Sequence, residues 1–381
     1  MKIFIYELVH LDWVIPLTDF LRDSPYAVTF FVHTKMKKDL EESLPAEAYT
    51  IYEWVYIEDQ PIISLFKLLN DHIKKKGCNL IWVNTNDSKH IIFALLRLKH
   101  QHIKLIVNIH EINNFLYPRF SYNIKKALRY FSKRALSKIA DAFIVNNDQM
   151  RNIIIQQQST CKPCYVITPV FYMDNSENIS KQESFSVVVP GSVDSRRRDY
   201  KIVLAAWTIF MQTKKTDKET LLILAGNSNP YGHDILAIIN SNPTLKETVR
   251  IFDSEIPECQ FQRIITDASI IVSPQNATTS ISDHIQETYG ITKTSGNIYD
   301  AIRHGKPLIV PALLRTPEEI ASSTIRYASE KALIEIFQNL SNDKNIFYSI
   351  NQRAIENSQK FSYKAMRKKI DTMITIISTP Q

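Results

Sequence analysis

Glycine is scarce in this chain: there are seven among 381 residues, and six of them lie between Gly191 and Gly305. So little glycine leaves few places where the backbone can take positive φ or let a ligand approach closely. No GxGxxG follows any apolar run, and the first half holds only Gly77, which argues against a nicotinamide-dinucleotide enzyme. Cysteine is rarer still. Cys161 and Cys164 form a single CKPC, while Cys78 and Cys259 stand alone, and one such pair without a second is not a zinc or redox framework. Long apolar runs are missing too; none approaches the roughly 18 residues that a membrane span requires. The start, MKIFIYELVHLDWVIPL, is interrupted by Glu7, His10 and Asp12 and lacks the basic opening of a signal peptide. A cytoplasmic protein is expected. No repeat, low-complexity block or nucleic-acid-binding module is visible, so no nucleic-acid partner is expected.

The residues present describe an ordinary globular protein, 44% apolar and 22% charged, with a formal net charge of +7 and a pI near 9.0. That balance favours anionic partners, whether phosphate-bearing small molecules, nucleic acid or a membrane surface. At roughly 150 residues per domain the length suits two domains. Apolar runs at 2–8, 28–32, 80–85, 104–109 and 142–145 alternate with helical patterns at 13–21, 62–76, 88–99 and 122–139. Short apolar runs separated by helices read as a parallel sheet covered on both faces. After a short strand at 165–168, the polar segment DNSENISKQES (174–184) reads as a linker. A second alternation follows, with strands at 185–189, 220–225, 249–252, 269–272 and 308–310. Its helices fall at 200–212, 233–240, 257–267 and 296–304, and 331–377 reads as further helix returning toward the first domain. The expected architecture is α/β, with two Rossmann-like domains at 1–173 and 185–360 facing a cleft, and a terminal helix at 361–381 packing back on the first.

Doubly wound sheets bind ligands beyond the carboxyl ends of their strands, and four such places stand out. PGSVDSRRRDYK (190–201) puts Gly191 at a strand exit before Arg196, Arg197 and Arg198, whose guanidinium forks suit diphosphate oxygens. LAGNSNPYG (224–232) offers Asn227 among small residues, and FDSEIP (252–257) offers the backbone near Ile256 to a base edge. The fourth is ETYGITKTSGNIYDAIRHGKPLIVP (287–311), where Thr294, Ser295 and Gly296 precede a helix and present free amides to an anion beside Lys293. Asp300, one turn into that helix, is placed to accept from a ribose, and Gly305-Lys306-Pro307 closes it. A purely structural reading, with Ser295 as N-cap and Gly305 as C-cap, also accounts for the helix.

The order Glu287, Tyr289-Gly290, Asp300, Gly305-Lys306-Pro307, preceded by DASIIVSPQ (267–275), resembles the retaining, family-4 (group-1) type of glycosyltransferase with the GT-B fold, common in bacterial surface-polysaccharide synthesis. VNIHEI (107–112) and RALSKIADAFIVNND (134–148) are similar to the family's first-domain strand ending in histidine and its following helix and strand. Two positions depart from the pattern. Ser295 stands where the family has a second glutamate, with Asp300 taking that place after about five extra residues, and Ser192 stands where it has an arginine. The resemblance implies transfer of a sugar from a nucleotide-diphosphate sugar, UDP-linked by preference, to a glycan or lipid-linked glycan, with no metal or other cofactor. It implies that Glu287 binds donor-sugar hydroxyls and that Glu287→Ala abolishes activity in a folded protein. His110 would face the sugar, while Arg196–Arg198, Lys293 and the amides of 294–296 would stabilise the leaving diphosphate. A non-catalytic GT-B sugar-nucleotide-binding subunit and a GT-B UDP-sugar epimerase remain as alternatives. The stretch 122–139 carries Lys125, Lys126, Arg129, Lys133, Arg134 and Lys138 among apolar residues. It reads either as a helix lying on the cytoplasmic face of the inner membrane or as a core-packed helix with a solvated basic face.

Overall fold

The computed structural model describes residues 1–85, 89–173, 184–215, 219–280 and 285–379. The expected linker, apart from Ser184, lies outside them, as does the first residue of the helix expected at 88–99. The chain folds as two compact units. Unit 1 comprises Met1–Val170, Ser280–Thr294 and Tyr363–Gln381, and unit 2 comprises Phe171–Thr279 and Ser295–Ser362.

Unit 1 is built on β1 (Lys2–Glu7), β2 (Ala27–His33), β3 (Glu53–Ile57), β4 (Leu80–Val83), β5 (Lys104–Asn108), β6 (Ala142–Val145) and β7 (Cys164–Val166). They pair in parallel in the order β3-β2-β1-β4-β5-β6-β7. The central strands are apolar on both faces because helices cover both sides: β4 and β6 are buried along their whole length. Those helices are α1 (Leu11–Leu21), α2 (Lys37–Ser43), α3 (Ala46–Ile51), α4 (Ile62–Lys76), α5 (His90–Lys99), α6 (Ile112–Leu116), α7 (Ile124–Ile139) and α8 (Asp148–Gln156). β3 and the short helices α2, α3, α6 and α8 are additions to the elements read from sequence.

Unit 2 repeats the scheme with β8 (Phe185–Pro190), β9 (Thr220–Asn227), β10 (Val249–Phe252) and β11 (Ile270–Val272). Two short strands, β12 (Thr278–Ser280) and β13 (Gln286–Thr288), intervene before β14 (Leu308–Pro311) and β15 (Thr324–Tyr327). The sheet runs β10-β9-β8-β11-β14-β15, all parallel. Around it lie α9 (Tyr200–Thr213), α10 (His233–Ser241), α11 (Pro243–Thr248), α12 (Glu258–Asp267), α13 (Gly296–Arg303), α14 (Glu330–Asn342) and α15 (Lys344–Gln359). Trp207, Phe210 and Phe337 meet edge-on or tilted at 5.3–5.7 Å between α9 and α14, filling one side of this core. Each sheet thus has the β-α-β construction expected of a Rossmann-like domain.

The chain then returns to unit 1 as α16 (Tyr363–Ser378). Met366, Ile370, Met373, Ile374 and Ile377 form its buried stripe at helical spacing. The Tyr363 hydroxyl donates to the Asp19 carbonyl at 2.8 Å, and Arg367 binds the Asp23 carboxylate at 3.1 Å and its carbonyl at 2.6 Å, which fastens α16 to the end of α1.

Candidate functional site

In unit 2 the arrangement begins at the end of β8. Gly191 has φ +84°, a conformation that side chains rarely adopt, and a Cβ there would lie 2.7 Å from Nη2 of Arg198. The neighbouring Gly226 lets β9 pass against this turn, since a Cβ on it would meet the Gly191 carbonyl oxygen at 2.3 Å. The two glycines are therefore linked: one makes the turn and the other makes room for it.

Arg198 lies over that turn. Its Nη1 donates to the Ser192 carbonyl and to the Tyr200 hydroxyl at 3.1 Å, and its Nη2 reaches Oδ1 of Asn297 at 3.4 Å. Asn297 is the second residue of α13. It is buried, and its Nδ2 has no hydrogen-bond partner among the described residues. Ser295 caps the same helix, its hydroxyl accepting from the Asn297 amide at 3.3 Å. Apart from its chain neighbours and the helix's own backbone, no described residue stands within 4 Å of where a Cβ on Gly296 would be, so the space over the first residue of α13 is open among the described residues. A guanidinium, an unpartnered amide and a helix N-terminus thus converge on one place, the chemistry of an anion site.

The other arginines behave differently. Arg196 forms a two-pronged pair with Asp194, Nε to Oδ1 and Nη2 to Oδ2 at 2.8 Å each, and lies 3.4 Å above the Tyr231 ring. Its guanidinium holds the Asp194 carboxyl below the usual range. Arg197 is exposed, and its carbonyl accepts from the Asn276 amide at 3.0 Å. Asn227 accepts from the Asn229 amide at 2.8 Å, Ile256 is half-buried in the loop before α12, and Asp300 is half-buried on α13.

In unit 1 the segment carrying Glu287, Lys293 and Thr294 is hydrogen-bonded to α6 and its approach, which explains why Ser280–Thr294 clusters there. The Ile112 amide donates to the Thr292 carbonyl at 2.9 Å, and Asn113 Nδ2 donates to the Gln286 carbonyl at 2.8 Å. Glu287 is fully buried, and its Oε1 accepts from the Asn114 amide at 2.7 Å at the start of α6. Burial raises its pKa, opposed by the Thr292 hydroxyl and the Asn114 amide. One oxygen of the residue expected to meet a sugar thus holds a short helix, while the other, Oε2, is buried with no hydrogen-bond partner among the described residues.

Lys293, expected as a charge beside the α13 amides, is ion-paired with Glu111. Burial works against the charge on Glu111, but Lys293 and the Asn114 side chain together hold its carboxyl below the usual range. Asn114 extends the network: its Nδ2 donates to Glu111 at 2.7 Å, while its carbonyl and Oδ1 accept from Lys133 at 2.9 and 2.7 Å. The Thr294 hydroxyl sits 3.4 Å from Asn147 Nδ2.

His110 follows β5. Its Nε2 lies 3.0 Å from the Asn84 carbonyl and 3.1 Å from the Thr85 hydroxyl; a carbonyl only accepts, so Nε2 carries the proton. Burial, and then the adjacent His10 ring 5.0 Å away, push its pKa down to about 3, so the imidazole is neutral. Beside it a cavity of about 360 Å³ opens at the ends of β4 and β5. Asn84, Asn108, His90, Asn114 and Lys133 line it; of these only Lys133 was singled out from sequence, as part of the basic helix. A signal was present: two successive apolar strands both run into asparagine, LIWVN at 80–84 and LIVN at 105–108. Among the described residues no group of three or more His, Cys, Asp or Glu side chains is arranged to hold a metal ion.

Comparison with known proteins agrees with this construction. Residues 14–170 match the family model Glycosyltransferase Family 4. No curated protein sequence matches the chain significantly. Among solved structures, sucrose-phosphate synthase from Thermosynechococcus elongatus superposes with a TM-score of 0.70 at 14% identity, covering 99% of both chains. HepE from Anabaena, solved in complex with UDP, gives 0.67 at 13% identity, covering 99% of this chain and 100% of its own. UDP-GlcNAc 2-epimerase from Neisseria meningitidis, bound to UDP-GlcNAc, gives 0.61 at 12% identity over 99% and 100%. At these identities the likeness is one of fold. Residues 14–170 thus carry a Glycosyltransferase Family 4 domain, and the two parallel α/β sheets give the chain as a whole the two-domain GT-B fold.

Proposed function

We propose that this protein transfers a sugar from a nucleotide-diphosphate sugar to a glycan or lipid-linked glycan, with the diphosphate held in unit 2. The observation that carries the reading is the convergence of Arg198, the unpartnered Nδ2 of Asn297 and the open N-terminus of α13 beside the Gly191 turn. Charge grows on the leaving diphosphate as the glycosidic bond breaks, and donors already fixed in place stabilise it without reorganising. UDP as the base-bearing half is supported by two structures of the same fold, solved with UDP and with UDP-GlcNAc.

In this reading Arg198 is the principal cation at the phosphates. Arg197 is exposed on the same turn, and Arg196 braces the turn through Asp194 and Tyr231. Asp300 is the candidate ribose acceptor, Asn227 and the backbone at Ile256 are candidates for the base side, and His110 supplies a neutral hydrogen-bonding group on unit 1. Glu287 positions α6 and, through Asn114, Glu111.

The acceptor is best supported as one presented at an anionic membrane surface. Ile124, Leu128 and Phe131 share one face of α7 at helical spacing and are 77%, 62% and 59% exposed, with Phe120 and Tyr122 beside them. The residues α7 buries are Ser132, Lys133 and Leu136, so its apolar stripe is not the one packed in the core. Lys125, Lys126, Arg134 and Lys138 are exposed on the same helix. An apolar stripe with basic flanks suits a helix lying in the headgroup region. Among the described residues no helix is long and apolar enough to cross a membrane.

Incubation of the purified protein with UDP-glucose and UDP-GlcNAc, with and without lipid extract, followed by product analysis, tests the reading. Transfer to lipid, or slow release of UDP and free sugar, is expected. Conversion to an isomeric UDP-sugar without acceptor would make it an epimerase, the activity named for several proteins of this fold. Neither product would leave a binding subunit.

A further inference from the structure

β1 ends in a carboxyl group that the fold buries. Glu7 closes a strand whose last five residues are buried, and it is itself fully buried. A carboxyl is costly to bury without partners, and here the partners are local. Oε1 accepts from the Val9 amide at 2.7 Å and from the His10 amide at 2.9 Å, which folds the chain into the turn that leads to α1. Oε2 is buried with no hydrogen-bond partner among the described residues. Burial raises the pKa of the group, opposed by His10, by the two amides and by the Thr85 hydroxyl.

The two elements that Glu7 touches both converge on His110. From the turn come two rings: His10 lies 5.0 Å from the His110 imidazole, and Trp13, in the first turn of α1, meets it edge-on at 5.9 Å. From β4 come two oxygens. The register pairs Tyr6 with Val83, which sets Glu7 beside the exit of β4. There the Asn84 carbonyl and the Thr85 hydroxyl lie 3.0 and 3.1 Å from His110 Nε2. With the proton on Nε2, Nδ1 is left as the acceptor, and a ring free to turn over or to exchange tautomers would lose that assignment. We propose that Glu7 is a positioning residue for His110: by holding the turn at 8–10 and facing Thr85, it keeps the imidazole in one orientation and one tautomer. The proposal rests on the reading of the chain as a sugar-transferring protein with His110 as a neutral hydrogen-bonding group, and it adds the residue that sets the geometry of that group.

Long-range proton–nitrogen correlation spectra of the full-length protein, isotope-labelled at histidine, test it, with the His110 signals assigned by their loss in His110→Gln. The unsubstituted protein should show one neutral His110 tautomer with the proton on Nε2. In Glu7→Ala the tautomers should mix or the ring gain charge. Glu7→Gln, whose amide oxygen still accepts from Val9 and His10, should recover most of the loss. His10→Ala and Thr85→Val remove the two routes one at a time and serve if Glu7→Ala does not fold; at least one of them should move the signals. With UDP-glucose or UDP-GlcNAc as donor, kcat should fall about ten- to a hundredfold in Glu7→Ala while KM stays within about threefold. UDP affinity by calorimetry should be unchanged, because the diphosphate site lies in unit 2. The spectra need no turnover, so an inactive unsubstituted protein would refute the transfer reading and leave the positioning of His110 to be decided by them. The proposal is overturned if the His110 signals are unmoved in Glu7→Ala, or in both His10→Ala and Thr85→Val. It is overturned equally if Glu7→Gln is no better than Glu7→Ala, or if kcat holds while the signals move.

Discussion

Arg198 lies over Gly191 and reaches Asn297, whereas Arg196, two residues earlier, is spent on Asp194 and Tyr231. The RRR run was legible as a cluster of cations at a strand exit, but not that Arg198, rather than Arg196, lies over the Gly191 turn. That depends on Asn297, which is remote in sequence and becomes a neighbour only through the fold. The same limit applied to Glu287 and Lys293, whose partners Asn114 and Glu111 lie far upstream. The histidines give a prediction at this scale. His90, His110 and His304 have pKa values pushed down to about 3, by burial first and nearby positive groups second. In the unfolded chain they titrate near 6.5. Between those values the unfolded state binds more protons, so their contribution is whole above about pH 6.5 and is lost as pH falls toward 3. The slope reaches about 1.4 kcal/mol per pH unit for each histidine. Tm should therefore fall from pH 7 to 5, before most carboxylates titrate. His304→Gln, retaining hydrogen-bonding capacity toward Thr266 and Gln262, should flatten that fall. An unchanged profile in the variant would contradict the assignment.

At the scale of elements, α6 is a five-residue helix whose start is held by a buried carboxylate. Glu287→Ala should accordingly leave the Asn114 amide unsatisfied and cost about 1–3 kcal/mol, read as a lower Tm, with Glu287→Gln recovering most of it. A fully stable Glu287→Ala protein lacking only activity would instead return Glu287 to the sugar-contacting role that the family resemblance implies. Two of the strands that escaped sequence reading, β3 and β15, are sheet edges. They are mostly half-buried and so lack the unbroken apolar run that marks β4 or β8. The interior strands were legible because a two-sided parallel sheet demands such runs. Short helices such as α6 carry too few turns for a periodic pattern.

For the whole molecule, the net charge of +7 is the background against which the α7 stripe acts. Co-sedimentation with anionic vesicles should be strong at low salt and weaker at high salt, and Ile124→Ser/Leu128→Ser/Phe131→Ser should reduce it without loss of Tm. Vesicle binding equal to that of the unsubstituted protein would rule out the α7 face as the contact. The two-domain architecture was legible from the alternation of strands and helices; the exposure of the α7 stripe was not, because a helical pattern shows an apolar face without showing what covers it. The central claim concerns where the diphosphate sits, and calorimetric titration of UDP into the unsubstituted protein, Arg198→Ala and Arg196→Ala tests it most directly. The account predicts that Arg198→Ala weakens UDP about ten- to a hundredfold while Arg196→Ala stays within about threefold; equal affinity for UDP in Arg198→Ala and the unsubstituted protein would contradict it.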